Sequence, residues 1–353
     1  MATTRYEDRI AAAIQGAGHG AVKFETSQAV CGAGVLFLLP ALLSQGLLKT
    51  KEVYQMPASH YYGLESVVLT LAFMALARIK NPEQLKQCKP GEIGRLIGLD
   101  RIPEVSCLRD KIKILSAQKQ AQKLNLLLID HWYSSFDLED LFLYIDGHVR
   151  IYYGAKANLP SKFISRQKLC LSATTEYWVN DAQGQPVMMV MGELTEKLQT
   201  AIEDLIIPQL QQTVLLPSAL PAAEEKEINT QEQETEIIDS KEKEEHPTRP
   251  VCTLIFDREA YQPSFFERLR ITWQIAIITY RKNVKDIWEP ECFTSTEVTV
   301  LEQKVTMHLC ERKVTLDGIV FREIRCLKED GHQTSVITNN LIICMATVAG
   351  RMF

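Results

Sequence analysis

The spacing of apolar positions changes character near residue 136. Before it the chain reads as helical. Residues 64–79 (LESVVLTLAFMALARI) are apolar, long, and free of glycine and proline, as a buried helix requires. Further on, Leu108, Ile112, Leu115, Ala121, Leu124 and Leu128 recur at helical spacing. GEIGRLIG predicts a short helix, LDRIP a turn, and Glu104 the start of a longer helix. This order fits a helix-turn-helix whose second helix enters a DNA major groove, with Arg101, Arg109, Lys111 and Lys113 as the contacting cations. Plain amphipathic packing of two helices is the competing reading.

From about 137 the period becomes that of strands. LFLYIDGHVRIYYG, KLCLSATTEYWVND and QPVMMVMGEL predict three consecutive strands, the last two joined at Asp181-Ala-Gln-Gly184. LTEKLQTAIEDLIIPQLQQ then predicts an amphipathic helix with Thr195 as N-cap and a kink at Pro208. VCTLIFDREAY predicts a buried strand, PSFFERLR a helix and WQIAIITYRKN another strand. Residues 284–338 alternate as a β-rich section, with hairpin dipeptides at Asp317-Gly318 and Asp330-Gly331. NLIICMATVAGRMF begins a last helix near Asn340.

Charge alters this picture in one place. The 353 residues carry a formal net charge of -5, but residues 221–249 hold ten acids and four bases. Setting aside that -6 leaves +1, so local basic patches decide what the folded part binds. The Glu/Gln/Lys-rich composition of 213–249 predicts a disordered acidic linker. Lys304, Arg312, Lys313, Arg322 and Arg325 make the β-rich section basic, which suits non-specific contacts to a phosphate backbone. None of the nine cysteines stands in a C-x-x-C pair, which speaks against a zinc site and for reduced thiols in a cytoplasm. Residues 29–48 are twenty residues without a charge, and 66–77 form a second apolar run. Pro40, Ser44, Gln45 and three glycines dilute the first run and the second is too short to span, so a buried helical core is preferred to a membrane hairpin.

Two segments end in a carboxylate after a continuous apolar run, LFLYID at Asp146 and CTLIFD at Asp257. Runs of that kind are strands buried on both faces, and sites in α/β sheets lie beyond strand ends. Neighbouring strands would bring the two acids together, where mutual repulsion favours a cation between them. Mg²⁺, or Mn²⁺ in its place, takes oxygen ligands and serves phosphoryl transfer. The residues alone leave simpler readings open: Asp146-Gly147 as a hairpin turn, and Asp257 as the cap of the following helix.

The stretches YIDGHVRIYYG, LPSKFISRQKLCLSATTEYWVNDAQGQP and LIFDREAYQPSFFERL, with ITYRKN after them, resemble the DDE transposases of bacterial insertion sequences. That resemblance implies an α/β fold: an RNase H-like mixed sheet with flanking helices, a β-rich insertion and a helical N-terminal domain. The implied domains are a helical DNA-binding domain at 1–135, a catalytic core at 136–212 and 250–283, the linker at 213–249, the insertion at 284–338, and an incomplete final core helix at 339–353. It implies Asp146 and Asp257 as catalytic metal ligands, Mg²⁺ as cofactor, and DNA as the partner of a homodimer. By position alone, Arg258, Arg281 and Lys282, near predicted strand ends, read equally as phosphate contacts or as solvated bases, and His148 as a neighbour of the metal or a phosphate or, more simply, as a sheet histidine bonded to backbone. The family's third acid is a glutamate on the helix after the insertion, yet no acid follows Asp330. Glu259 reads as structural and Glu323 as solvent-facing, so neither replaces it. The expectation is therefore a cytoplasmic transposase with impaired strand transfer, or a DNA-binding remnant that represses an intact enzyme.

Overall fold

The computed structural model describes residues 30, 32–57, 62–99, 101–134, 141–154, 157–165, 167–216 and 249–353. The chain divides into two compact units, Met1–Ser134 and Ser135–Phe353.

The described residues of the first unit are helical. Its principal helices are α1 (Leu39–Ser44), α2 (Leu64–Leu76), α3 (Pro90–Leu96), α4 (Val105–Ala117) and α5 (Ala121–Tyr133). Tyr62, Val67, Met74, Leu85, Ile102 and Leu108 form one core cluster. Proline at the start of α3 costs no hydrogen bond, because the first turn has no acceptor for its missing N–H. Gly98 ends that helix in the left-handed region at φ 73°; its N–H reaches Arg95 O and the Leu99 N–H reaches Gly94 O, a Schellman closure. Eight residues then separate α3 from α4, where a helix-turn-helix uses three or four. Among the described residues no single helix is long and apolar enough to cross a membrane, although the bent pair Ala33–Ser44 and Leu47–Val53 (62°) passes by length and composition.

The second unit is built on a 10-stranded mixed sheet. The strands are β1 (Phe142–Ile151), β2 (Ser161–Ile164), β3 (Leu169–Asn180), β4 (Pro186–Gly192), β5 (Cys252–Phe256), β6 (Ile275–Tyr280), β7 (Thr294–Val300), β8 (Gln303–Leu316), β9 (Ile319–Leu327) and β10 (Gln333–Thr338). Their order is β2-β3-β1-β5-β6-β10-β9-β8-β7, with β4 also on β3. β1, β5 and β6 run parallel, and the remaining pairs are antiparallel. All five residues of β5 are buried, as the CTLIF run foretells for a central strand.

Residues 284–338, expected as a β-rich insertion in the core, supply four strands that extend its sheet, with β10 pairing directly with β6. The β8–β9 hairpin closes through Asp317 (φ 50°) and Gly318 (φ 82°), the twist-matched two-residue turn. Asp146-Gly147, by contrast, makes no turn: β1 runs straight through it to Ile151.

One face of the sheet packs on α6 (Pro263–Trp273) through Phe265, Phe266 and Leu269, with Phe266 edge-on to Phe321 at 6.0 Å. Beside it lies the helical stretch Leu198–Thr200, Ala201–Ile206 and Ile207–Leu210. Its middle turn is a π-helix just ahead of Pro208. Proline lacks an N–H and its ring crowds the carbonyl four residues back, so the widened turn takes the place of the expected kink. Helix formation starts at Leu198 with Lys197 as N-cap, not at Thr195. Residues 213–216 still belong to the ordered unit, with Leu215 and Leu216 buried; residues 217–248 of the predicted linker lie outside the described residues. The other face carries α7 (Met345–Met352), which begins five residues later than the sequence suggests. Val348 joins Phe142, Ile255, Ile278, Ile324 and Val336 in one cluster, and Ala349 joins Val298 and Leu309 in another.

Candidate functional site

Asp146 and Asp257 come together through strand register. Ile145 is the Cα partner of Phe256 in the parallel β1–β5 pair, and each aspartate follows directly. Adjacent strands lie roughly 5 Å apart, and residues level in a parallel pair point to the same face. That face is the one α7 covers, as the core contacts of Phe142 and Ile255 establish. Both aspartates are exposed. Asp257 does cap the following turn, since its Oδ1 accepts the Glu259 N–H at 2.8 Å, and its carbonyl accepts the Thr279 hydroxyl at 3.1 Å. Continuing the β5–β6 register two steps past Ile255–Ile278 places Tyr280 level with Asp257.

The last turn of α7 is pinned next to this row. Tyr144 donates to Arg351 O at 3.3 Å, and Tyr280 donates to Met352 O at 2.8 Å. Burial raises the Tyr144 pKa, which keeps the phenol protonated as donor. The Arg351 guanidinium covers the Phe142 ring at 4.6 Å. Helix α7 itself contains no acid. Among the described residues no group of three or more His, Cys, Asp or Glu is placed to hold a metal ion.

His148 lies two residues beyond Asp146 on the same strand face, exposed and opposite Glu176. Glu176 instead accepts from Arg150 Nε and Nη2, each at 2.9 Å, and those bonds hold its carboxyl below the usual 4.5. Glu259 is exposed in the short turn after β5. Glu323 corrects its sequence reading: it is fully buried, accepting from Arg281, from Arg325 Nε at 2.7 Å and from the Ser335 hydroxyl at 2.6 Å. Alternation had assigned it to solvent, but a charged residue turns inward where fixed cations await it.

The predicted basic contacts fare unevenly. Arg258 is exposed and stacks on Tyr280 at 5.6 Å, whereas Lys282 turns toward the Tyr261 ring at 5.7 Å. Arg281 leaves the end of β6 with its side chain 18% exposed. In the helical unit Lys111 is 4% exposed, so its position on the inner face of α4 removes it from any groove contact. Burial lowers its pKa. Arg109 is paired with Glu83 and Lys113 with Asp110, and Arg101 stands 4.0 Å from Glu104. Within the β-rich section Arg325 is fully buried and Arg322 nearly so, donating to Glu311, Asn340 O and Ile343 O at 2.7 Å. Neither reaches a phosphate backbone.

Sequence reading missed Lys285 and His332, which meet Arg258 and Arg281 around a cavity beyond the carboxyl ends of β5 and β6. The run Arg281-Lys282-Asn283-Val284-Lys285 was the available signal for the first of them.

A family model described as a transposase protein matches residues 1–353. No curated protein matches the chain. Among solved structures, the chain is similar to a piggyBac transposase in its synaptic complex with hairpin DNA, at 10% identity and a TM-score of 0.40, over 87% of this chain and 60% of that one. It thus spans less than two thirds of that relative's length.

Proposed function

This chain belongs to the transposase protein family, and on that premise we propose that it acts on DNA ends by divalent-metal-dependent phosphoryl transfer centred on Asp146 and Asp257. The observation that carries the reading is the β1–β5 register, which sets two exposed carboxylates side by side at the end of a buried parallel pair. Such a donor set fits Mg²⁺ or Mn²⁺, which are held by one or two carboxylates together with waters and substrate phosphates. The bound ion would supply charge stabilisation at the reacting phosphate. The chain's own residues do the positioning. β1 and β5 fix the two carboxylates, the Glu259 N–H orients Asp257, and Tyr144 and Tyr280 hold α7 beside them. We read the sheet unit as an RNase H-like core, with DNA as its partner and a homodimer as its working form.

The test is Mn²⁺ binding and strand cleavage by the full chain on DNA carrying the ends of its element. Asp257→Asn retains the oxygen that caps Glu259, so its fold is preserved. We expect Asp146→Asn and Asp257→Asn each to weaken Mn²⁺ binding at least tenfold while DNA binding persists. Unchanged Mn²⁺ affinity in both variants would overturn the assignment.

A second reading, a DNA-binding repressor without strand transfer, is favoured by one observation: Met345–Met352 brings no third carboxylate to the pair. In that case the chain binds element ends and leaves them uncut with either metal. Cleavage that is lost in Asp146→Asn excludes it.

A further inference from the structure

Thr279 has no exposed surface, and its hydroxyl donates to the Asp257 carbonyl at 3.1 Å. That carbonyl stands where the strand pairing gives out. β5 pairs with β1 as far as Phe256, opposite Ile145, and with β6 as far as Ile255, opposite Ile278. Asp257 lies past both ladders, in extended conformation at φ -76° and ψ -171°. A side chain from β6 therefore holds its backbone where the strand bonds stop. Strand ends without ladder bonds are where a sheet opens most easily. Ile255 and Ile278 pack in the cluster under α7, and alternation turns Thr279 to the opposite face, away from the carboxylate row. From there the hydroxyl cannot itself reach a cation held by Asp146 and Asp257. Thr338 of β10, equally buried, donates to Ile277 O at 2.6 Å within the sheet. The bond from Thr279 goes instead to one of the two carboxylate-bearing residues.

We propose that Thr279 is a positioning residue for the metal pair: its hydroxyl fixes the Asp257 backbone at the end of β5, and through it the carboxylate beside Asp146. The proposal rests on the reading of Asp146 and Asp257 as the residues that hold the divalent ion. Asp257 is then gripped at two atoms, its carbonyl by Thr279 from beneath the sheet and its Oδ1 by the Glu259 N–H at 2.8 Å. A carboxylate held in this way loses less freedom when a cation arrives, which is how partners behind metal ligands raise affinity.

Mn²⁺ binding by the full chain, measured by titration calorimetry, tests it in Thr279→Val, which keeps the shape of the side chain and removes the hydroxyl. Affinity should fall about fivefold. That is less than the tenfold or more typical of partners bonded to a ligand's own side chain, because this bond reaches only the backbone. Thr279→Ser and Thr279→Ala both lose the methyl group, and they keep the test open if the valine variant folds poorly. The serine variant should bind Mn²⁺ like the parent and the alanine variant like the valine one. A double-mutant comparison separates positioning from a general loosening of the sheet. Thr279→Val should cost nothing further in an Asp257→Asn background and the same fivefold or so in an Asp146→Asn background; a loosened sheet would weaken binding in both. Mn²⁺ affinity within about twofold of the parent in Thr279→Val, a serine variant as weak as the alanine one, or equal losses in the two backgrounds each overturn the proposal. The underlying aspartate reading fails separately, if Asp257→Asn itself binds Mn²⁺ like the parent.

Discussion

Removing the carboxylate of Glu323 should unfold the sheet unit more readily than any single exposed charge change. Glu323 and Arg325 are both fully buried, and Arg281 is 18% exposed. Glu323 accepts from Arg325 Nε at 2.7 Å, from the Ser335 hydroxyl at 2.6 Å and from Arg281. Arg325 continues the chain of charges to Asp286 at 2.7 Å and lies over the Trp288 ring at 4.1 Å, with Arg312 on the same ring at 4.5 Å. Two arginines are thus balanced by two acids. Glu323→Gln leaves one buried cation uncompensated, and breaking a buried pair from one side costs about 3–5 kcal/mol. For a unit of this size each kcal/mol lowers Tm by about 2–4 °C, so a fall of roughly 6–20 °C is expected. Thermal and urea unfolding of the full chain, followed by near-ultraviolet dichroism, measure it. Arg281→Met in the Glu323→Gln background should cost less than the sum of the two single losses, by about 0.5–3 kcal/mol. An exposed pair gives the scale: Lys304 and Glu297 are 72% and 64% exposed at 2.7 Å, and Glu297→Gln should cost under about 1 kcal/mol. A Glu323→Gln loss below about 1 kcal/mol, or strict additivity with Arg281→Met, would refute the view that this network holds the fold.

Three further outcomes follow from particular contacts. Gly350→Ala should loosen α7, since a Cβ there would stand 2.4 Å from Thr299 O and 3.1 Å from Val298 Cγ1; overpacking of about 1–3 kcal/mol outweighs the helix-propensity gain of about 1, and hydrogen exchange of α7 amides reports it. Glu176 and Glu267 both titrate below the usual 4.5 because Arg150 and Arg270 donate to them. A depressed carboxylate stabilises the fold above its unfolded pKa and loses that contribution as pH falls through the folded value. Arg150→Ala should therefore cost stability above about pH 4.5 and leave a flatter acid limb below it, read from Tm against pH; an identical limb in variant and parent counts against the pairing. Gly94→Ala should destabilise the helical unit, because its Cβ would meet the Arg101 Cα at 2.4 Å, and a Tm at or above the parent's would disprove that close approach.

Local chemistry was legible in the sequence wherever a residue's neighbours in the chain decide its conformation. Asp181 accepts from the Gln183 and Gln185 N–H groups at 2.9 and 2.8 Å, and Gly184 closes that turn at φ 78°. The CTLIF run and the Asp317-Gly318 turn are of the same kind. Partners distant in sequence escaped notice. Glu323 and Arg281 are 42 residues apart, and strand alternation assigns a charged residue to solvent unless the opposing charge is known. Lys111 misleads for a related reason: helical spacing places it on the same face as Leu108, but its charge argues for exposure. The eight residues between α3 and α4 looked like a tight turn because Gly98 ends one helix cleanly and Glu104 opens the next.

Sheet order has a consequence for the site that no local pattern carries. β1 and β7 stand far apart in the order, yet both reach α7, β1 through Phe142 and Tyr144 and β7 through Val298 and Thr299. The sheet therefore curls around that helix. Residues 284–338 complete the packing around α7, so removing them should disturb the aspartate row. Tyr280 links the two, being level with Asp257 on one side and donating to Met352 O on the other. Strain introduced at Gly350 should accordingly reach the carboxylate pair through α7 and Tyr280, although Asp146 and Asp257 contact neither β7 nor β8 in the strand order.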